Sequence, residues 1–163
     1  MLEVLIGMLV LALWMLSSAG LQMGALKFQK SAESRLTAVA LVSELGELME
    51  ANYLGARSGN YALAATNAAT AAYTDCSAVT CQPNALAAFD LAQWTTRAVS
   101  TLKLTEVSVV DATPAGGITT YTISISWEES RGRQTYADAA ASAMPTTETM
   151  SYVTTKVVRN VAL

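Results

Sequence analysis

The sequence predicts an α+β fold in which a long N-terminal α-helix packs on a small antiparallel β-sheet head. Three observations predict it. Residues 4–26 of the 163 carry no charge and are mostly apolar. Residues 28–53 then repeat apolar side chains at helical steps without a proline. Finally, Tyr121, Ile123, Ile125 and Trp127 alternate with Thr122, Ser124, Ser126 and Glu128 at the period of a half-buried strand.

The first stretch sets the terms. Val4 to Leu26 is 23 residues, about 35 Å at the helical rise and enough to cross a hydrocarbon core. Glu3 is the one charge before Lys27. A carboxylate in hydrocarbon costs about 2.5–3.5 kcal/mol even on lenient insertion scales, so Glu3 is expected to meet a cation or to serve assembly rather than snorkel into water. No basic region precedes the run and no small-residue cleavage site follows it, so it does not read as a secretory signal. Lys27, Lys30 and Arg35 follow it; counted alone they leave the bulk of the chain in the cytoplasm, and a basic leader upstream reverses that orientation.

Helical periodicity continues to about Leu54. Phe28, Ala32, Leu36, Val39, Val42, Leu45, Met49 and Tyr53 form one stripe, with Lys30, Glu33, Ser34, Thr37, Glu44, Glu47 and Glu50 opposite. The two halves make a rod of about 80 Å, weakened near Ser17, Ser18, Gly20 and Gly24, where a bend or local melting is expected. Residues 1–26 are thus the apolar helix, 27–54 its amphipathic continuation, and 55–163 one globular head.

Loop chemistry rich in Ala, Thr, Asn, Gly and Ser fills residues 55–82, with room for a short helix from Tyr61 to Ala72. Cys76 and Cys81 lie there with four residues between them, a spacing suited to one small disulfide ring in an oxidising compartment rather than to a metal site or redox pair. Pro83 and Asn84 start a second helix to Leu102, its core face Ala87, Leu91, Trp94, Ala98 and Leu102. Leu104 to Val110, Thr119 to Glu128 and Met150 to Val161 give at least three antiparallel strands. Trp94 and Trp127 read as core anchors, and Glu128-Glu129 with Arg131 and Arg133 as a solvated turn, within a long loop from Ser130 to Glu148.

Composition removes whole classes of function. Ten Lys and Arg against 13 Asp and Glu leave a net charge of −3, so no basic field exists to capture nucleic acid. Histidine is absent, which removes the usual general base, a common metal ligand and every Ser-His or Cys-His arrangement. Gly116-Gly117 is a turn signal and Ser58-Gly59-Asn60 a loop; neither is a phosphate-binding loop. No enzyme, cofactor, metal or small-molecule substrate is expected.

The opening Met1-Leu2-Glu3-Val4-Leu5-Ile6 resembles the start of mature type IV pilins and pseudopilins. Further landmarks occur in order: Met49-Glu50-Ala51-Asn52, Gly59-Asn60-Tyr61, Cys76 with Cys81, Ala88-Phe89-Asp90-Leu91-Ala92-Gln93-Trp94, and Tyr121 to Trp127 with Glu128. They are similar to those of the type IV pilus modification protein family, the PilV-type minor pilins. The sequence departs from the family in several places. The basic leader and the phenylalanine that becomes the methylated terminus are missing, so the expectation is that Met1 is not the mature amino terminus. Gly20 stands near the place of a proline common in major pilins, and Leu102-Lys103-Leu104 replaces a Pro-Gly-Gly turn.

The resemblance implies a pilin-like fold and a structural role. The helix holds the subunit in the inner membrane before assembly and then joins an extracellular pilus. In such filaments the glutamate pairs with a neighbouring subunit's terminal amine, which gives Glu3, Val4, Leu5 and Ile6 the assembly role. The implied partners are other pilin subunits, major and minor. The expected function is a minor pilin that primes or supports assembly near the tip; the alternatives are a type II secretion minor pseudopilin, or a tip adhesin or DNA-uptake subunit. An adhesin would show an exposed aromatic or basic patch on the disulfide loop or on the loop from Ser130 to Glu148.

Overall fold

Helix α1 runs without interruption from Leu2 to Ala51, 50 residues and about 75 Å. It is followed by α2 (Tyr53–Arg57), β1 (Leu63–Thr66), α3 (Pro83–Thr101), β2 (Leu104–Asp111), β3 (Thr119–Ser130) and β4 (Thr147–Val158). The computed structural model describes residues 2–68, 73–112, 118–130 and 147–158. The architecture is α+β: one long N-terminal helix and a four-stranded antiparallel sheet in the order β1-β2-β3-β4.

Residues 17–24 stay helical, against the expected melting. The Ser17 and Ser18 hydroxyls donate to the carbonyls of Leu13 and Met15, both at 3.0 Å, and the surrounding Leu, Met and Ala favour helix strongly enough to carry two glycines. At its other end α1 stops at Ala51 rather than near Leu54. Asn52 leaves the helical conformation (φ −105°, ψ 56°) and caps α2 by accepting from the Gly55 amide.

The amphipathic face is narrower than the sequence stripe and turned from it. Ala38, Leu41, Val42, Leu45 and Met49 are buried, whereas Phe28 and Leu36 are 80% and 70% exposed. Four-residue steps advance about 40° beyond a full turn at 3.6 residues per turn. The run Phe28, Ala32, Leu36 therefore walks around the rod, away from the Leu45 side. Extending the buried face towards the N-terminus instead meets Ser34 and Ser31, both half-buried.

The head supplies the other half of the core. Along β3, Tyr121, Ile123, Ile125 and Trp127 are buried, and across the pair with β2 so are Val107 and Val109. β4 pairs with all of β3, from Thr119 opposite Val158 to Ser130 opposite Thr147, and sets Met150, Tyr152 and Thr154 on the inner side. Where a short helix had room, residues 63–66 instead form edge strand β1, bulged against β2. α3 starts at Pro83, whose ring suits the first helical position. It buries Ala87, Leu91, Trp94 and Ala98. Residues 131–146, including Arg131 and Arg133, and the Gly116-Gly117 turn lie outside the described residues.

This phase has a direct consequence. Leu45→Ala is expected to destabilise the head by about 2–5 kcal/mol, as for other fully buried leucines, and Leu36→Ala by less than about 0.5 kcal/mol. Denaturant unfolding of both variants in detergent tests this, and comparable losses would restore the broader stripe.

Candidate assembly surface

Among the described residues, nothing packs over the N-terminal half of α1. Twelve large apolar side chains between Leu2 and Leu16 stand exposed, including Val4, Leu5, Ile6, Leu9, Val10 and Trp14. The helix holds an 18-residue window long and apolar enough to cross a membrane, none of it buried. Its backbone bonds are satisfied internally and its two serines bond back onto it, the condition for crossing hydrocarbon. Among the described residues, nothing fills the space over Gly7, Gly20 or Gly24. Gly20 and Gly24 share one side four residues apart, where another helix can approach closely.

Glu3 lies in the first turn, where the helix dipole favours an anion. It is exposed, and among the described residues it has no ion-pair partner. The next charge along the helix is Lys27, about 36 Å away at the helical rise. Val4, Leu5 and Ile6 surround Glu3 with exposed apolar surface, 54–65%.

A buried polar joint fixes the head to the rod, and the sequence offered it only as landmarks. The Asn52 Nδ2 donates to the Pro83 carbonyl at 2.8 Å, so one side chain ties the end of α1 to the starts of both α2 and α3. Gly55 is required beside it: a Cβ there would lie 2.5 Å from Asn52 Nδ2 and 2.7 Å from Pro83 O. Gly59 turns the chain at φ 78°, the left-handed region glycine enters without strain. The turn delivers Tyr61 into the core, where its hydroxyl donates to Asp90 and lies 3.2 Å from the Leu48 carbonyl. The Trp94 indole donates to the Leu41 carbonyl at 2.8 Å. On the surface, Glu44 pairs with Arg97 of α3 and Glu50 with Lys156 of β4. Only the burial of these groups separates them from ordinary polar residues, and burial is invisible in a single sequence.

Electrostatics follow from that burial. Burial pushes the Tyr61 hydroxyl well above its usual value, and hydrogen bonding to Asp90 adds to the shift, so the phenol remains a donor. Burial also raises the Asp90 carboxyl, partly opposed by the bond from Tyr61.

Elsewhere in the head, Cys76 and Cys81 are joined by a disulfide in the connection between β1 and α3. Three positions before Cys76 in the chain, Tyr73 packs edge-on to Phe89, ring centroids 5.5 Å apart. Glu128 and Glu129, expected in a solvated turn, belong to β3 instead. Glu129 accepts from the Ser31 hydroxyl at 2.8 Å and from the Trp127 indole at 2.9 Å. Strand pairing with β4 carries β3 two residues further than the apolar alternation indicated.

The family model described as Tt1218-like, type IV pilin Tt1218, matches residues 20–92. That span takes in the second half of α1, the Asn52 joint, Tyr61, the disulfide and Asp90. Over that span the chain is similar to type IV pilins. No curated protein and no solved structure matches it. The long helix and small antiparallel sheet form a pilin-like layout, and the matched segment takes in the joint and only the last turns of the naked half of the helix.

The joint makes stability depend on pH. Asp90 titrates higher in the folded chain than when unfolded, so its contribution is fully present below the unfolded value near 3.8 and is lost as pH rises through the raised folded value. The Asp90→Asn variant should lack this dependence. Urea midpoints of wild type and variant, compared stepwise upward from pH 4, should change in wild type relative to Asp90→Asn, and parallel curves would show that Asp90 is not shifted.

Proposed function

We propose that this chain is a minor pilin of a type IV pilus, a PilV-like subunit without catalysis that supports filament assembly or priming and carries its head near the tip. The supporting observation is the naked half of α1. An apolar rod with one acid at its end, held by a rigid head, is stable only in a bilayer or among other such rods. In the inner membrane it acts as an anchor. In the extracellular filament its partners are other pilin subunits, and the ammonium of a neighbour's amino terminus answers Glu3, seated among Val4, Leu5 and Ile6.

Phe28, Leu36 and Val39 extend the free apolar surface past Lys27 on sides the head leaves uncovered. Neighbouring subunits are the natural cover for this surface once the chain leaves the membrane. A second reading, a tip subunit that binds a surface, is favoured by one observation: Tyr73, three positions before Cys76, is exposed and braced by Phe89.

The role of Glu3 is tested by Glu3→Gln. The head should unfold at the wild-type denaturant concentration, because Glu3 lies far from it. The amount of subunit in sheared filaments should fall about tenfold, the equivalent of losing roughly 1.4 kcal/mol of pairing. Wild-type incorporation of Glu3→Gln would remove the assigned role.

A further inference from the structure

Trp14 is out of place in a helix that only crosses a bilayer. It lies one position from the middle of the uncharged run 4–26, whereas tryptophan favours the two edges of a membrane, where its N–H reaches water. The other two tryptophans each donate to an oxygen, Trp94 to the Leu41 carbonyl and Trp127 to Glu129. Among the described residues Trp14 donates to nothing, and it is 67% exposed. In hydrocarbon an N–H left in that state is costly.

An acceptor in the same position stands on the same side of the rod. Glu3, Gly7, Val10, Trp14, Ser17 and Leu21 follow one another at alternating steps of four and three, which lines them up as one seam. All six are exposed, and the Ser17 hydroxyl is already spent on the Leu13 carbonyl. Bulk varies along the seam in a matching way. Among the described residues nothing lies within 4 Å of a Cβ built on Gly7, so that position is a hollow. Seven residues on, Trp14 is a knob.

Knob and hollow, donor and acceptor are thus carried by one surface, which makes it complementary to itself. Two parallel copies in register would set Trp14 against Trp14 and Glu3 against Glu3, a steric clash and a like-charge pair. A displacement of seven residues, about 10 Å, keeps the two seams facing and sets Trp14 of one copy over Gly7 of the other. Aromatic side chains on a helix lean towards its N-terminus. The indole therefore leans towards the level of the other copy's Glu3, one turn below that copy's Gly7.

We propose that a second copy of this chain packs along this seam, parallel and displaced by seven residues, with Trp14 filling the hollow over the second copy's Gly7 and donating to the second copy's Glu3. The inference rests on the assembly role proposed above and adds a neighbour and a register to it. A carboxylate has two oxygens with room for several donors, so the indole N–H and a terminal ammonium share Glu3 without competing. The displacement of about 10 Å would mismatch a hydrocarbon core of about 30 Å. The pair therefore belongs to the filament rather than to the plane of the membrane.

Oxidative cross-linking of the full chain in detergent micelles, which impose no fixed plane, tests the register. Ser17 of one copy then lies opposite Val10 of the other. A mixture of Val10→Cys and Ser17→Cys copies should give about tenfold more cross-linked pair than either variant alone. Gly7→Leu fills the hollow and should cut the mixed product about tenfold. Trp14→Phe keeps a ring but loses the N–H, and should cut it about threefold. Where Glu3→Ala has already removed the acceptor, Trp14→Phe should cost nothing further. Same-position products as abundant as the mixed one would overturn the proposal, as would a mixed product indifferent to Gly7→Leu or to Trp14→Phe. All these substitutions lie in the free half of α1, and unchanged urea midpoints confirm an intact head. Sheared filaments separate the two levels. A chain absent from filaments refutes the assembly role, whereas a chain present in them without the mixed product refutes the seam alone.

Discussion

One helix is shared between two environments, and the packing of its second half on the sheet decides where the first half must go. Leu45, Met49 and Trp94 are fully buried where α1, α3 and the sheet meet, and the Asn52 side chain holds the end of the rod to the starts of α2 and α3. With that end fixed, the remaining length projects beyond the head. Burying an apolar side chain is worth about 1.5–3 kcal/mol, so covering the twelve exposed between Leu2 and Leu16 amounts to on the order of 20 kcal/mol. On the same gross scale this is comparable to the burial within the head's own core. Covering the naked helix is therefore a large driving force, and the head orients it.

Much of the fold was legible because its signals are local. The alternation from Tyr121 to Trp127 locates β3, and Pro83 with the spacing of Ala87, Leu91, Trp94 and Ala98 locates both the start and the inner face of α3. The errors occurred where local pattern gives way to tertiary context. The apolar stripe through Phe28 and Leu36 looked like core, but it precesses around the rod and faces outward. Residues 63–66 have the composition of a loop and become a strand only because β2 presents an edge to them.

The polar joint shows the same limit more sharply. Asn52, Tyr61 and Asp90 stood in the sequence as landmarks without a mechanism. Their roles depend on burial and on contacts across 29 to 31 positions of chain, which periodicity does not encode. The same holds for Ser31 with Glu129, 98 positions apart. Polar groups enclosed in this way must be paired, because an unmet donor or acceptor in the interior costs about 1–3 kcal/mol. The need for exact partners is what makes the joint rigid, and a rigid joint lets a change of environment at one end of the rod carry the head with it.

The claim that the free half of α1 is covered by lipid or by neighbouring helices is tested most directly by single-cysteine labelling. Val10 and Leu54 are almost equally exposed in the isolated chain, 57% and 59%, so their intrinsic access to a water-soluble maleimide is similar. Cysteines placed at these two positions should label alike in denaturant. In intact membranes and in intact filaments, position 54 should label freely and position 10 should be protected at least tenfold. Equal labelling at the two positions in both settings would contradict the account.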